Sequence, residues 1–258
     1  MPVVLVTDVL VWLLVAAAAA YAIYCRRHPH LALPWSRVFR SAVAMASLVV
    51  LAAYVAIGLL DCLHFRPALE QKSDAQESYS TEVLSVLDLG LTHLRGRSEK
   101  TYSAPLATRS YAKEQVELPG GKQMRDFPRL RFGGAQLKDE GEWAADVAQR
   151  IGIGFAVAVL LFLVFVLLEK VLRRKKPEIP WYAALVAFGA ILALAGPAFA
   201  LSTGYHVLGT DKVGQDVFYL ALKSVRTSLV IGTLSTLVLL PLGISLGTMA
   251  CYFKGWVD

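Results

Sequence analysis

Five long apolar runs limit what this chain can become. Crossing the roughly 30 Å hydrocarbon core of a bilayer takes about 20 apolar residues at a helical rise of 1.5 Å each. Val3 to Tyr24 is such a run, interrupted only by Thr7 and Asp8, and Ser41 to Leu60 carries no charge. Ile151 to Leu168 is unbroken, and the runs from Trp181 to about Leu201 and from Ser228 to about Phe253 complete the set. Each must be helical, because lipid offers no partner to a free backbone N–H or C=O. Composition agrees: 56% of the 258 residues are apolar and 18% charged, with a mean hydropathy of +0.52. This excludes a disordered chain, a collagen-like fibre and a single water-soluble domain.

The first run does not read as a secretory signal, since no basic residue precedes Val3 while Arg26 and Arg27 follow Tyr24. Orientation follows from Lys and Arg in the short links. Cys25 to Arg40 carries Arg26, Arg27, Arg37 and Arg40, and Glu169 to Pro180 carries Lys170, Arg173, Arg174, Lys175 and Lys176. Both links are expected to be cytoplasmic, with the N-terminus outside and the C-terminus inside. The net charge of +6 is then a topology signal facing an anionic leaflet rather than a nucleic-acid patch.

Half of the charge lies in one water-facing block, His64 to Arg150, with 13 basic and 13 acidic residues. Within it, Glu82 to Leu94 has the apolar spacing of an amphipathic helix. Pro119-Gly120-Gly121 and Gly133-Gly134 mark turns, and Val116, Leu118, Phe127, Leu130 and Phe132 are placed to line short strands. The expected fold is an all-α membrane protein of about five transmembrane helices, with one small extracytoplasmic α+β or partly irregular domain between helices 2 and 3. The divisions are 1–63 (helices 1 and 2 with their link), 64–150 (outer domain), 151–202 (helices 3 and 4) and 203–258 (loop, interfacial segment and helix 5).

No P-loop, His-Glu-x-x-His or Cys-x-x-Cys occurs, so neither nucleotide binding nor catalysis is indicated. Cys25, Cys62 and Cys251 form no disulfide framework. Asp8 and Asp61 lie at the edge of apolar runs and are expected to face water at the interface. Gly243 and Gly247 have the spacing that lets helices approach closely in lipid, as do Gly189, Ala193 and Pro197.

The most informative stretch is His206 to Asp258. Gly209-Thr210-Asp211 and Gly214-Gln215-Asp216 are turn signals, each closed by a carboxylate able to cap backbone N–H groups. Asp216 reads as the N-cap of an amphipathic segment, Val217 to Arg226, lying flat at the interface before helix 5. Three ligands on one turn (His206, Asp211 and Asp216) make a poor metal site, so no metal or cofactor is expected.

His206-x-x-Gly209-Thr210-Asp211-x-x-Gly214-x-Asp216, followed after one span by Tyr252-x-x-Gly255-Trp256-Val257-Asp258, resembles the dipeptide/oligopeptide/nickel permease family of bacterial ATP-binding-cassette importers, specifically its C-type inner-membrane subunit. The resemblance covers about the last 55 residues. The family usually has Arg where Gln215 stands and Gly where Cys251 and Lys254 stand. It implies a multi-pass protein of the bacterial inner membrane working with a second permease subunit, ATP-binding subunits and an extracytoplasmic solute-binding protein. Such permeases dock their ATPase through a cytoplasmic coupling loop beyond the Gly-Trp-Val-Asp segment, so only the N-terminal part is expected here. The main rival is a membrane-anchored sensor or interaction protein acting through the outer domain; a membrane enzyme would need clustered acid/base groups at the outer face.

Overall fold

The computed structural model describes residues 1–68, 80–117, 123–172 and 180–253. The chain is an all-α membrane protein whose five long helices have the length and composition to cross a bilayer. They are α1 (Val6–Arg27), α3 (Ala42–Asp61), α6 (Trp143–Leu172), α7 (Trp181–Ser202) and α8 (Val217–Phe253). The apolar runs predicted all five. The additions are at the helix ends, where α6 begins eight residues ahead of its apolar run and α8 eleven residues ahead of its own.

Shorter elements gather at one end, called here the polar end. β1 (Pro2–Val3) pairs antiparallel with β2 (His64–Phe65), and β2 with β3 (Leu84–Ser85). The first residues are thereby stitched to the segment that leaves α3. The expected helix over Glu82–Leu94 is instead split into β3, α4 (Val86–Gly90) and α5 (Thr92–Arg95). Ser85 accepts from the Asp88 N–H at 3.1 Å while Asp88 accepts from the Ser85 N–H at 2.9 Å, a reciprocal cap that starts a helix at Val86 and no earlier. β4 (Glu114–Glu117) and β5 (Gln123–Asp126) pair antiparallel on either side of the expected Pro119-Gly120-Gly121 turn, which with Leu118 lies outside the described residues. Val116 is in β4, but Phe127, Leu130 and Phe132, expected to line strands, fall beyond the end of β5.

α6 and α7 make the closest helix pair. A Cβ on Gly154 would stand 2.6 Å from the Pro197 Cα, and one on Gly196 would stand 2.9 Å from the Ala158 Cβ. Backbones that approach this closely gain dispersion contact, which drives helix association in lipid. α3 meets α8 at Gly58, where a Cβ would stand 2.8 Å from Leu229. Met45 of α3 packs with Ala183 and Ala184 of α7 near the opposite, basic end. There the basic link, to which sequence reasoning assigned no element, forms α2 (Pro29–Phe39), separated from α1 by His28 alone and from α3 by Arg40 and Ser41.

Two expectations are corrected. The segment Val217–Arg226 does not lie flat: it forms the first turns of α8, a helix of 37 residues, about 55 Å long at the standard rise. Nothing between Val217 and Ser228 breaks a helix, and its polar side chains find protein partners instead of headgroups. Nor do Asp8 and Asp61 face water, since they are 1% and 0% exposed.

Candidate functional site

The polar end is built around the start of α8. Asp216 caps it: Oδ1 accepts from the N–H of Phe218 at 2.8 Å and of Tyr219 at 3.3 Å. Its other oxygen, Oδ2, accepts from His206 Nδ1 at 2.7 Å. The far side of that imidazole, Nε2, faces Glu99 Oε1 at 3.4 Å. His206 is thus buried between two carboxylates, 1% exposed. Glu99 accepts in turn from the N–H groups of Phe132 (2.7 Å), Arg131 (2.9 Å) and Gly133 (3.3 Å). Burial works to raise the Glu99 pKa, but these three donors and His206 outweigh it and hold the carboxyl below its ordinary value.

The remaining motif residues shape the loop that carries this pair. Thr210 Oγ1 donates to the Thr101 carbonyl at 2.8 Å and shares a hydroxyl–hydroxyl contact of 3.0 Å with Ser103 Oγ. Asp211 Oδ1 accepts from the N–H of Val213 (3.0 Å) and Gln215 (2.8 Å), the side-chain turn expected of an Asp at that position. Gly209 and Gly214 have φ of +78° and +82°, where an L side chain is strained, and a Cβ on either would strike the backbone carbonyl of Ser103 or Glu99. His206, Gly209, Thr210, Asp211, Gly214 and Asp216 therefore all act in one place, as a loop clamped on residues 99–107. Gly255, Trp256 and Asp258 lie outside the described residues.

Along one face of α8, at helical spacing, come Tyr219, Lys223 and Arg226. Lys223 Nζ donates to both oxygens of Asp88, at 2.8 and 2.6 Å, and the Tyr219 hydroxyl donates to Asp88 Oδ1 at 2.6 Å. Burial pushes the Asp88 pKa up, but Lys223, Tyr219 and the Ser85 N–H pull harder and bring it to about 2. One turn further, Arg226 Nη1 donates to Asp8 Oδ1 at 2.9 Å and to His64 Nε2 at 3.1 Å, and Arg226 Nε lies 3.2 Å from Asp61 Oδ2. His64 Nδ1 donates to Asp8 Oδ2 at 2.9 Å. Asp8 also accepts from the Leu5 N–H at 3.0 Å, so a carboxylate in the first turn of α1 both caps that helix and ties it to α8. Burial first, then the Asp8 charge, pushes the neighbouring Cys62 thiol up to about 11. Sequence reasoning singled out Asp8, Asp61, His206 and Asp216, but not Arg226 as the partner of Asp8 and Asp61, nor Glu99 as the partner of His206. Glu99 is 107 residues from His206, Asp88 135 from Lys223 and Arg226 218 from Asp8.

A third network anchors α6. Asp146 Oδ2 accepts from Tyr205 (2.8 Å), Gln136 (2.9 Å) and Arg150 Nε (2.9 Å). Burial and the Asp146 charge raise the Tyr205 hydroxyl to about 12, so it stays a donor.

Below Arg226, α8 changes character. Positions 232, 243 and 247 are glycines with open space where a Cβ would stand, so Gly243 and Gly247 meet no described helix of this chain. Gly243-Ile244-Ser245-Leu246-Gly247 also has the spelling of an esterase nucleophile turn. It sits inside a helix with Ser245 Oγ bonded to the Pro241 carbonyl at 2.7 Å, without the strand-to-helix turn that would expose a nucleophile. Among the described residues no group of three or more His, Cys, Asp or Glu could hold a metal ion.

Over 53 residues the chain is 43% identical to the glutathione transport system permease protein GsiD of Pectobacterium atrosepticum. The match covers 20% of this chain and 18% of that protein. No family model matches the chain, and no solved structure does.

Proposed function

We propose that this chain is the N-terminal, membrane-spanning part of a permease subunit of an ATP-binding-cassette importer in the bacterial inner membrane, carrying peptides or similar solutes. It supplies helices that line or support a translocation path and no chemistry of its own. Its partners in this reading are a second permease subunit, ATP-binding subunits, an extracytoplasmic solute-binding protein and the lipid bilayer, and no nucleic acid. The polar end faces outward, with the N-terminus, and α8 runs inward to a cytoplasmic C-terminus.

The observation that carries the reading is the loop His206–Asp216, where each motif residue of the resembled family has a physical duty in launching α8. The partial likeness to a glutathione permease supports the solute class, glutathione being itself a tripeptide. Affinity-tagged chain, cross-linked in intact cells and purified in mild detergent, is expected to bring down an ATP-binding subunit. Recovery without any nucleotide-binding ATPase overturns the reading. Orientation has its own test: an impermeant maleimide should label Lys100→Cys in intact cells, and Ser36→Cys only after permeabilisation. Labelling of both from the same side overturns the threading.

A further inference from the structure

The helix that sequence reasoning missed, α2, has a ligand chemistry. Its 11 residues, about 17 Å at the helical rise, join two membrane spans through one residue at one end and two at the other. Tethers that short hold α2 at the membrane surface. Leu33, Trp35, Val38 and Phe39 are all exposed, and aromatic rings bind the helix to the end of α1: Tyr21 meets Trp35 edge-on at 6.5 Å, and Trp35 lies 6.2 Å from Phe39. Amphipathic rings of this kind settle at headgroup depth.

On the same stretch stand Arg26, Arg27 and Arg37, all exposed, and among the described residues none of the three guanidinium groups has a hydrogen-bond or ion-pair partner. Residues 9–60 contain no Asp or Glu. The stretch from α1 through α2 to α3 thus offers three exposed guanidinium groups and, over residues 9–60, no carboxylate of its own. Guanidinium is shaped to bind phosphate oxygens in pairs, and an apolar face beside it suits acyl chains.

We propose that α2 is an in-plane helix that binds the phosphate headgroups of anionic phospholipids through Arg26, Arg27 and Arg37, with Trp35 and Phe39 seated among the acyl chains. An acidic protein surface would satisfy the charges but not the apolar residues between them, so lipid is the better occupant.

Purified full-length chain in nanodiscs tests this. The signal is quenching of Trp35, taken as the difference between the wild type and Trp35→Phe, by brominated phosphatidylglycerol against brominated phosphatidylcholine at the same mole fraction. Stronger quenching by the anionic lipid is expected. The preference should fall about fivefold for each arginine changed to Gln, vanish in the triple Gln variant and largely survive in the triple Lys variant. Should the triple Gln variant fail to fold, Arg37→Gln alone still has to show its fivefold loss. Equal quenching by the two lipids, or an undiminished preference in the Gln variants, overturns the proposal. Displacement of the anionic lipid by millimolar inorganic phosphate overturns it in favour of a free-anion site, and displacement by polyglutamate in favour of a protein surface.

Discussion

From Asp216 to Arg226 the last helix spends its polar groups on this chain: a capping carboxylate shared with His206, a tyrosine and lysine on Asp88, an arginine between Asp8 and Asp61. From Ser228 to Phe253 the same helix carries large exposed apolar side chains, with Leu237 69% and Leu246 61% exposed. A crevice bordered by Leu10, Val11, Leu14 and Val55 reaches it only near Leu229, Thr233 and Leu237. In the first half each buried charge has an opposite charge within the molecule, as the cost of burying an unpaired charge requires, although Asp61 is held by ion pairing at 3.2 Å rather than by a well-formed side-chain hydrogen bond. The second half presents an apolar surface suited to lipid or to further helices.

The sharpest way to break this contrast is at Arg226. Asp8 and Asp61 are buried and share its guanidinium, so Arg226→Met leaves two carboxylates without their cation. Removing one member of such a buried set costs about 3–5 kcal/mol. Thermal unfolding in detergent should fall accordingly, and the buried Cys62, held as an unreactive thiol, should become open to alkylation. If stability and Cys62 reactivity both stay as they were, the polar end is not held by charge. Next in size is Gly214→Ala. The strained φ and the collision with the Glu99 carbonyl together should cost about 2–4 kcal/mol, read by the same unfolding measurement. An unchanged melting temperature would show that the loop is not clamped on residue 99.

These two predictions also mark where sequence reading ended. The spans were legible because lipid imposes one rule on every residue of a run. The turn chemistry of Asp211, Gly214 and Asp216 was legible because a cap or a turn is made by residues a few positions apart. Arg226 was not, because the position looks like an interfacial residue until Asp8, from the far end of the chain, is placed beside it. The misreading of Val217–Arg226 as a flat interfacial helix has the same origin: a polar stripe looks identical whether headgroups or distant carboxylates satisfy it. α2 was missed for another reason. With Pro29 at its start and Pro34 inside it, the segment resembles a breaker-rich link. Yet the first proline falls where a helix needs no N–H, and the second lies early enough to leave few bonds lost.

The Asp88 pair probes the middle of the contrast. A carboxylate whose folded pKa is lowered contributes stability that is fully present above its unfolded value and fades as pH falls toward the folded one. For Asp88 the values are 3.8 and about 2, which correspond to on the order of 2 kcal/mol. Wild-type stability should therefore decline between about pH 4 and pH 2, and Asp88→Asn should remove that part of the decline. An unchanged acid profile in the variant would mean that Lys223 and Tyr219 do not hold Asp88 in its charged form.

The smallest effect belongs to the membrane half, and its smallness is the point. Gly243→Ala and Gly247→Ala place a methyl group into open space. In the isolated chain they should be neutral or stabilising by up to about 1 kcal/mol, since alanine is the better helix former. A clear loss of stability would mean that these glycines already pack within the chain, and the contrast between the halves would fail. If they instead lie where a helix of another chain crosses, as the proposed function expects, the same methyl groups should cost the isolated chain no stability while reducing recovery of a partner subunit. A helix face that tolerates substitution alone and resists it in the assembled complex is one whose packing partner belongs to another chain.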